Sequence, residues 1–241
     1  MRGATKQLEV EDRSVENGQA LTLSCFSALH AIPGFERVSK RKVFEKGAVL
    51  FTQGHSAHDV YVVCTGRLKI SITSAEGRKL IVRIARPGDL LGIHAALTEK
   101  SYEATAEALT SCRIDSISNT DLLGLLERQK SFGLSVAVAI SKDLTDFLEH
   151  ARGLLMSISA AEKLAYLLLS LADQFGRRTT SGITFQTLLT HEEIAQMIGA
   201  SRETVTRSLN MFTRKRFIRP EEGEVVILNH VALAALANQG S

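Results

Sequence analysis

Between Lys42 and about Ser118, apolar residues come in short, β-branched runs broken by glycine: KVFEKGAVLFTQG, VYVVCTGRLKISI and SAEGRKLIVRIA. Gly47, Gly54 and Gly66 punctuate the first two, and Glu76-Gly77 stands at a hairpin position in the third. Pro87-Gly88-Asp89 follows, then one more strand-like stretch near Ala106 to Ile117. Short strands with turn signals about every 8–12 residues predict an antiparallel sandwich or roll. Ahead of them, Leu21 to Ala31 reads as a short helix stopped by Pro33-Gly34.

From about Asn119 the period becomes helical. Thr120-Asp121 opens a short helix, DLLGLLER, and a longer one follows, FGLSVAVAISKDLTDFLEHARGLLM. In the latter, Ala137, Ile140, Leu144, Phe147, Ala151 and Leu154 alternate spacings of three and four, a heptad seam. Such a stripe either packs on the sheet domain or pairs with a second chain. The narrow stripe, with Lys142, Asp143, Asp146 and Glu149 elsewhere on the surface, favours a two-chain coiled coil. Ser159-x-x-Glu162 is a capping box that restarts the chain as AEKLAYLLLSLADQF, ending at Gly176. The expected organisation is a tail at 1–20, a roll with flanking helices at 21–130, a dimerisation helix at 131–157 and a last domain at 158–241. With no long linker at Met156 to Ser159, a rotation in one domain would reach the other.

LTHEEIAQMIGASRETVTRSLNMFTRKRFI carries the clearest chemistry. Thr190-x-x-Glu193 is a second capping box, opening a short helix with Ile194, Ala195 and Ile198 on its apolar face. Gly199 supplies a tight turn, and Ser201 caps a second helix carrying Val205, Leu209 and Phe212 on one face. This is a helix-turn-helix pattern. The other face offers Arg202, Glu203, Thr206 and Arg207, with Ser201 and Thr204 beside them, near the end that enters the major groove. Arg can fork onto guanine, and Glu can accept from the cytosine amino group. RFIRPEEGEVVIL then reads as two strands turned at Glu222-Gly223, a small wing.

Composition adds little until charge is placed. The 241 residues are 44% hydrophobic and 23% charged, with a formal charge of +3. That total names no partner, but from Arg202 to Arg219 six basic residues face one acid, suiting phosphate contact with double-stranded DNA. No stretch approaches the roughly 20 apolar residues of a membrane span. The polar N-terminus has no apolar signal core. These features predict a cytoplasmic protein. Cys25, Cys64 and Cys112 are far apart, without a C-x-x-C pair, and argue against a disulfide framework and an iron–sulfur cluster.

SRETVTR, the glycine-punctuated roll with GAVLFTQG and PGDLLG, and the seam helix together resemble bacterial transcription regulators of the cyclic-AMP receptor/FNR superfamily. The resemblance runs from about Leu21 to Leu236. It implies an α+β chain: an N-terminal antiparallel β-roll like a cyclic-nucleotide-binding domain, a long dimerisation helix and a C-terminal winged helix-turn-helix. It further implies a homodimer on an inverted repeat, with RNA polymerase as a partner and no enzyme activity. Arg202, Glu203 and Arg207 match the base-reading positions of the cyclic-AMP receptor type, implying half-sites resembling TGTGA. Thr206 stands where that type has a small residue, and Thr190 matches a phosphate-contacting helix start.

The resemblance also bears on what the roll senses. Cyclic-AMP-binding members use a Gly-Glu pair for the ribose and a later Arg-Ser for the phosphate; here Ile93 replaces the Glu, and Tyr102-Glu103 the Arg-Ser. A buried phosphate needs a cation, so cyclic AMP in the usual mode is not expected. In place of the Thr-Ser pair that family members carry on the long helix near the base, Phe147 and Leu148 stand nearby. His94, a lone histidine in a loop by the sequence pattern, stands where a carbon-monoxide-sensing relative has its haem histidine, but Gly92 replaces the accompanying cysteine. Haem, another small molecule or an effector-free roll are the readings left open, with Ile93, His94, Tyr102 and Glu103 as the candidate pocket. Outside this family, a cupin-like metal enzyme would need ligands, and His55-x-x-His58, with His30 and His94, is the nearest set. No metal site and no catalytic residues are assigned. GRRTTSGI, from Gly176 to Ile183, is either a polymerase contact or a solvated connector.

Overall fold

The computed structural model describes residues 35–237. The tail, the helix expected at Leu21 to Ala31, its Pro33-Gly34 stop, Cys25 and His30 lie outside the described residues.

The chain enters through α1 (Phe35–Val38) and then builds the roll from β1 (Ser39–Phe44), β2 (Val49–Phe51), β3 (Asp59–Thr65), β4 (Leu68–Thr73), β5 (Lys79–Ala85), β6 (Leu90–Leu91), β7 (Thr105–Ala108) and β8 (Cys112–Ser118). Two four-stranded antiparallel sheets result, ordered β1-β8-β3-β6 and β2-β7-β4-β5. Val63, Leu68, Ile70, Ala106 and Ile114 are buried between them. Gly66, in the β3–β4 turn, is required by crowding as well as by its φ of 90°. A Cβ there would lie 2.5 Å from both the Cys112 sulfur and the Ser111 carbonyl oxygen.

Three local readings of the sequence need correction. The stretch Ala106 to Ile117 is two strands, because Arg67 takes Leu109 and Thr110 out of the ladder. The Leu109 amide donates to the Arg67 carbonyl (2.8 Å), and the Arg67 amide to the Thr110 hydroxyl (3.0 Å). His94 is in a helix, α2 (Ile93–Thr98), which follows Gly92 in the left-handed region (φ 80°). The short helix after the roll, α3 (Asn119–Arg128), begins one residue before Thr120, because the Ser118 hydroxyl accepts from the Asp121 amide (3.1 Å).

The long helix α4 (Lys130–Met156) lays Phe132 and Val136 into a core shared with Phe35, Val60, Ile117 and Leu122. After the break at Ser157 to Ser159, α5 (Ala160–Phe175) starts under the Ser159 cap, its hydroxyl accepting from the Glu162 amide (3.2 Å). The two helices cross closely at Gly153, where a Cβ would come within 2.4 Å of the Tyr166 ring. The segment from Gly176 to Ile183 contains strand structure. Arg177 and Arg178 pair with Thr184 and Ile183, so β9 (Arg177–Thr179) and β10 (Gly182–Gln186) form a hairpin. This hairpin joins the wing, β11 (Ile218–Glu221) and β12 (Glu224–Ile227), in one sheet ordered β11-β12-β10-β9.

The C-terminal unit has no core to itself. Leu164, Leu168, Phe185, Ile194, Val205 and Phe212 belong to one buried cluster with Ile81 and Ile84 of β5. At the edge of this junction the ammonium of Lys69, whose side chain is only 10% exposed, lies 2.7 Å from both Glu107 and Glu193. Arg67 stacks 4.2 Å from the Phe175 ring centroid.

Candidate functional site

Two helices and a turn build the basic face. The first, α6 (His191–Ile198), is capped reciprocally: the Thr190 hydroxyl accepts from the Glu193 amide (3.2 Å), and the Glu193 carboxylate accepts from the Thr190 amide (2.8 Å). Gly199 ends it with φ 63°, a conformation costly for residues with a Cβ. Ser201 then caps α7 (Arg202–Arg214), accepting from the Thr204 amide (3.3 Å). Val205, Ser208 and Phe212 are buried, and this fixes the opposite face outward with Arg202, Glu203 and Arg207 exposed.

The predicted contact residues divide by what holds them. Arg207 donates to the Thr204 hydroxyl (3.2 Å), which orients its guanidinium along the helix. Thr206 is half-buried; its hydroxyl donates to the Arg202 carbonyl (3.0 Å) and meets His191 Nδ1 at 2.9 Å. Thr206 therefore ties the second helix to the first. His191 is a participant the sequence reading missed; its only signal was its place next to the Thr190 cap. The Glu203 carboxyl is held below the usual range by its own backbone amide and the Ser201 hydroxyl, then by Arg202 and Arg207. It thus stays an acceptor, the role a cytosine amino group needs. Arg214, Lys215 and Arg216 continue the exposed basic surface. Arg219 is drawn aside by Glu221 (2.7 Å).

The four candidate pocket residues Ile93, His94, Tyr102 and Glu103 do come together. They line a cavity of about 380 Å³ between the roll and α4. Most of the remaining wall is apolar, including Phe51, Ile70, Val82, Leu91, Leu144 and Phe147. Tyr102 is 6% exposed, stacks on Phe51 at 4.3 Å and donates to the Asp59 carbonyl (2.8 Å). It is a fixed wall.

Among the described lining residues, Arg83 is the one guanidinium or ammonium, and it is occupied by Asp89 (2.9 Å) and by Asp143 of α4 (3.2 Å). Burial pushes the Asp143 carboxyl up; Arg83 opposes that, and Asp89 and Asp146 reinforce it. This donor set does not fit a cyclic phosphate. For haem, His94 is exposed at the mouth with Gly92 beside it, and a Cβ at Gly92 would already approach the Tyr102 ring at 3.0 Å.

The heptad positions separate. Ile140 packs into the roll-side core and Leu154 into the C-terminal core. Leu144 and Phe147 border the cavity with 57% and 50% exposure, Ala137 is exposed and Ala151 half-buried. Leu134, Leu148 and Leu155, spaced by multiples of seven, are exposed along one strip of α4, with Leu144 as exposed as Leu148 beside it. His55 and His58 are exposed. Among the described residues no group of three or more His, Cys, Asp or Glu is placed to hold a metal ion. Burial pushes the Cys64 thiol up to about 11, with Asp115 adding to the shift.

Comparison with known proteins matches two separate stretches of the chain. Residues 41–129 match the cyclic nucleotide-binding domain, and residues 162–236 the Crp-like helix-turn-helix domain. The transcriptional activator protein Anr of Pseudomonas aeruginosa is 31% identical over 203 residues, spanning 84% of this chain and 82% of that protein. A CRP-like cAMP-activated global transcriptional regulator of Mycobacterium tuberculosis is 27% identical over 194 residues, 80% of this chain and 86% of the relative. In fold, the chain superposes on a CooA mutant from Carboxydothermus hydrogenoformans with a TM-score of 0.76 at 21% identity, covering 91% and 98% of the two chains.

Proposed function

The chain belongs to the CRP/FNR family of DNA-binding transcription regulators, and on that premise we propose that it acts as a homodimer on an inverted repeat of TGTGA-like half-sites, under an effector other than cyclic AMP. The observation that carries the DNA reading is the outward face of α7. Its first turn presents Arg202 and Glu203, and Arg207 lies one turn further on, all exposed on a helix whose other side is locked into the core. Arg202 and Arg207 read guanines, and Glu203 reads the cytosine opposite a guanine. Thr190 and the basic run Arg214 to Arg216 supply phosphate contacts. The exposed strip Leu134, Leu148 and Leu155 on α4 meets its counterpart on a second copy. Two reading helices then lie about one duplex turn apart, 34–36 Å. The hairpin β9–β10 is the surface offered to RNA polymerase.

Selection of bound sequences from random duplexes tests the reading. Recovery of inverted TGTGA-like half-sites supports it, and recovery of unrelated or unpaired sites refutes it. Sedimentation of the complex checks for two chains per duplex.

A further inference from the structure

We propose that the cavity between the roll and α4 is a binding site for an uncharged, largely apolar small molecule, one without a phosphate or carboxylate. This rests on reading the roll as the sensor half of the regulator, and it names the class of ligand that half takes. A volume of about 380 Å³ is within the span of small-molecule sites, about 300–1,000 Å³. Its apolar walls come from both sheets and from the helix: Phe51, Ile70, Leu91, Leu144 and Phe147. An anion is opposed twice. Arg83 already serves two carboxylates, and Glu103 at the rim is a further negative charge. Binding an anion would mean displacing Asp143 or Asp89 into an apolar space, which costs far more than it returns.

The exposed side chains at the mouth point the same way. Ile72 is 38% exposed on the strand side, and Leu144 and Phe147 are half exposed on the helix side. These large apolar groups border one opening from opposite walls, an arrangement that soluble surfaces otherwise avoid. A neutral apolar occupant covers all three and bridges the roll to α4. A nucleotide would cover them with a charged ribose phosphate and leave Tyr102 and Glu103 against it.

The test uses the full chain and the neutral fluorophore N-phenyl-1-naphthylamine as probe. Saturable fluorescence enhancement at one site per chain is expected, unaffected by excess cyclic AMP. Phe147→Asp from the helix wall and Ile72→Glu from the strand wall each weaken it by about tenfold or more. Val43→Asp, an exposed apolar position elsewhere on the roll, leaves it unchanged. Because both wall positions are partly exposed, circular dichroism of the variants matches wild type; should Phe147→Asp disturb helix pairing, Ile72→Glu carries the test. Absence of saturable enhancement, wild-type binding in both wall variants, displacement by cyclic AMP, or affinity that rises as the protein is diluted (a second copy filling the cavity) overturns the proposal. Recovery of inverted-repeat duplexes is measured separately. A chain that selects them yet takes no probe loses this inference alone.

Discussion

Replacing Lys69 by methionine should uncouple the two halves of the chain. The Lys69 side chain is 10% exposed, and its ammonium sits 2.7 Å from Glu107 on its own sheet and 2.7 Å from Glu193 on the first helix of the reading head. At an effective dielectric near 20, each contact corresponds to about 6 kcal/mol of attraction, most of which offsets the cost of burying the charges. Removing one partner of a buried pair typically costs about 3–5 kcal/mol. Here Glu193 keeps its hydrogen bonds to the Thr190 amide and hydroxyl (2.8 and 2.9 Å), and Glu107 keeps Lys79 at 3.5 Å. The expected loss for Lys69→Met is therefore at the low end, about 3 kcal/mol. Glu193→Gln preserves the cap geometry and should cost about 1–2 kcal/mol. A double-mutant cycle by urea unfolding, with the two domains monitored separately, should give a coupling of at least about 1 kcal/mol. Acid gives a second readout. Burial alone would raise the Glu193 pKa, but hydrogen bonds from Lys69 and Thr190 reverse the shift and lower it overall. Its stabilisation is complete above the ordinary carboxylate pKa, about 4.3, and is lost as pH falls through the lower folded value. In Lys69→Met the two carboxylates, without Lys69, protonate more readily, so the deficit against wild type should shrink on acidification. A coupling below about 0.5 kcal/mol, the level of a surface pair, would refute the reasoning.

Four further outcomes are expected. Arg202→Ala should cost about 1–3 kcal/mol on the selected duplex and little on a scrambled one, read by gel shift. Lys215→Ala should weaken both duplexes alike and reduce the slope of log K against log salt by about 1. Gly153→Ala gains up to about 1 kcal/mol of helix propensity. It also drives a methyl into Tyr166, an overpacking cost of about 1–3 kcal/mol, so thermal melting should show net destabilisation. Arg41→Met strips a two-point contact (2.7 and 2.8 Å) from Asp115, which is 1% exposed. It should destabilise the roll by about 3 kcal/mol in urea unfolding.

The features legible in the sequence were those encoded within a few residues. Thr190-x-x-Glu193, Gly199 and Ser201 specify α6, its turn and α7 through caps that close on themselves, and Glu222-Gly223 turns the wing as read. What was not legible depends on which surfaces meet in three dimensions. A heptad spacing says that Ile140 and Leu154 face one way, but not that two different cores of the same chain cover them. Lys69 and Glu193 are 124 positions apart, and neither has a local pattern that names the other. His94 reads as a loop residue because α2 is too short to show a period, and Gly92, at φ 80°, is its only start signal. The Gly176 to Ile183 stretch hides its strands because all three residues of β9 are exposed, leaving no alternation.

Ile81 and Ile84, strand residues of the roll, share a buried cluster with Ile194 and Phe212 of the reading head. Cut loose, the C-terminal half would therefore carry a bare greasy scar where β5 had been, and would be expected to clump in solution. Any chimera that borrows this reading head for another sensor must bring a matching strand, so the two halves are constrained to evolve as partners in one seam.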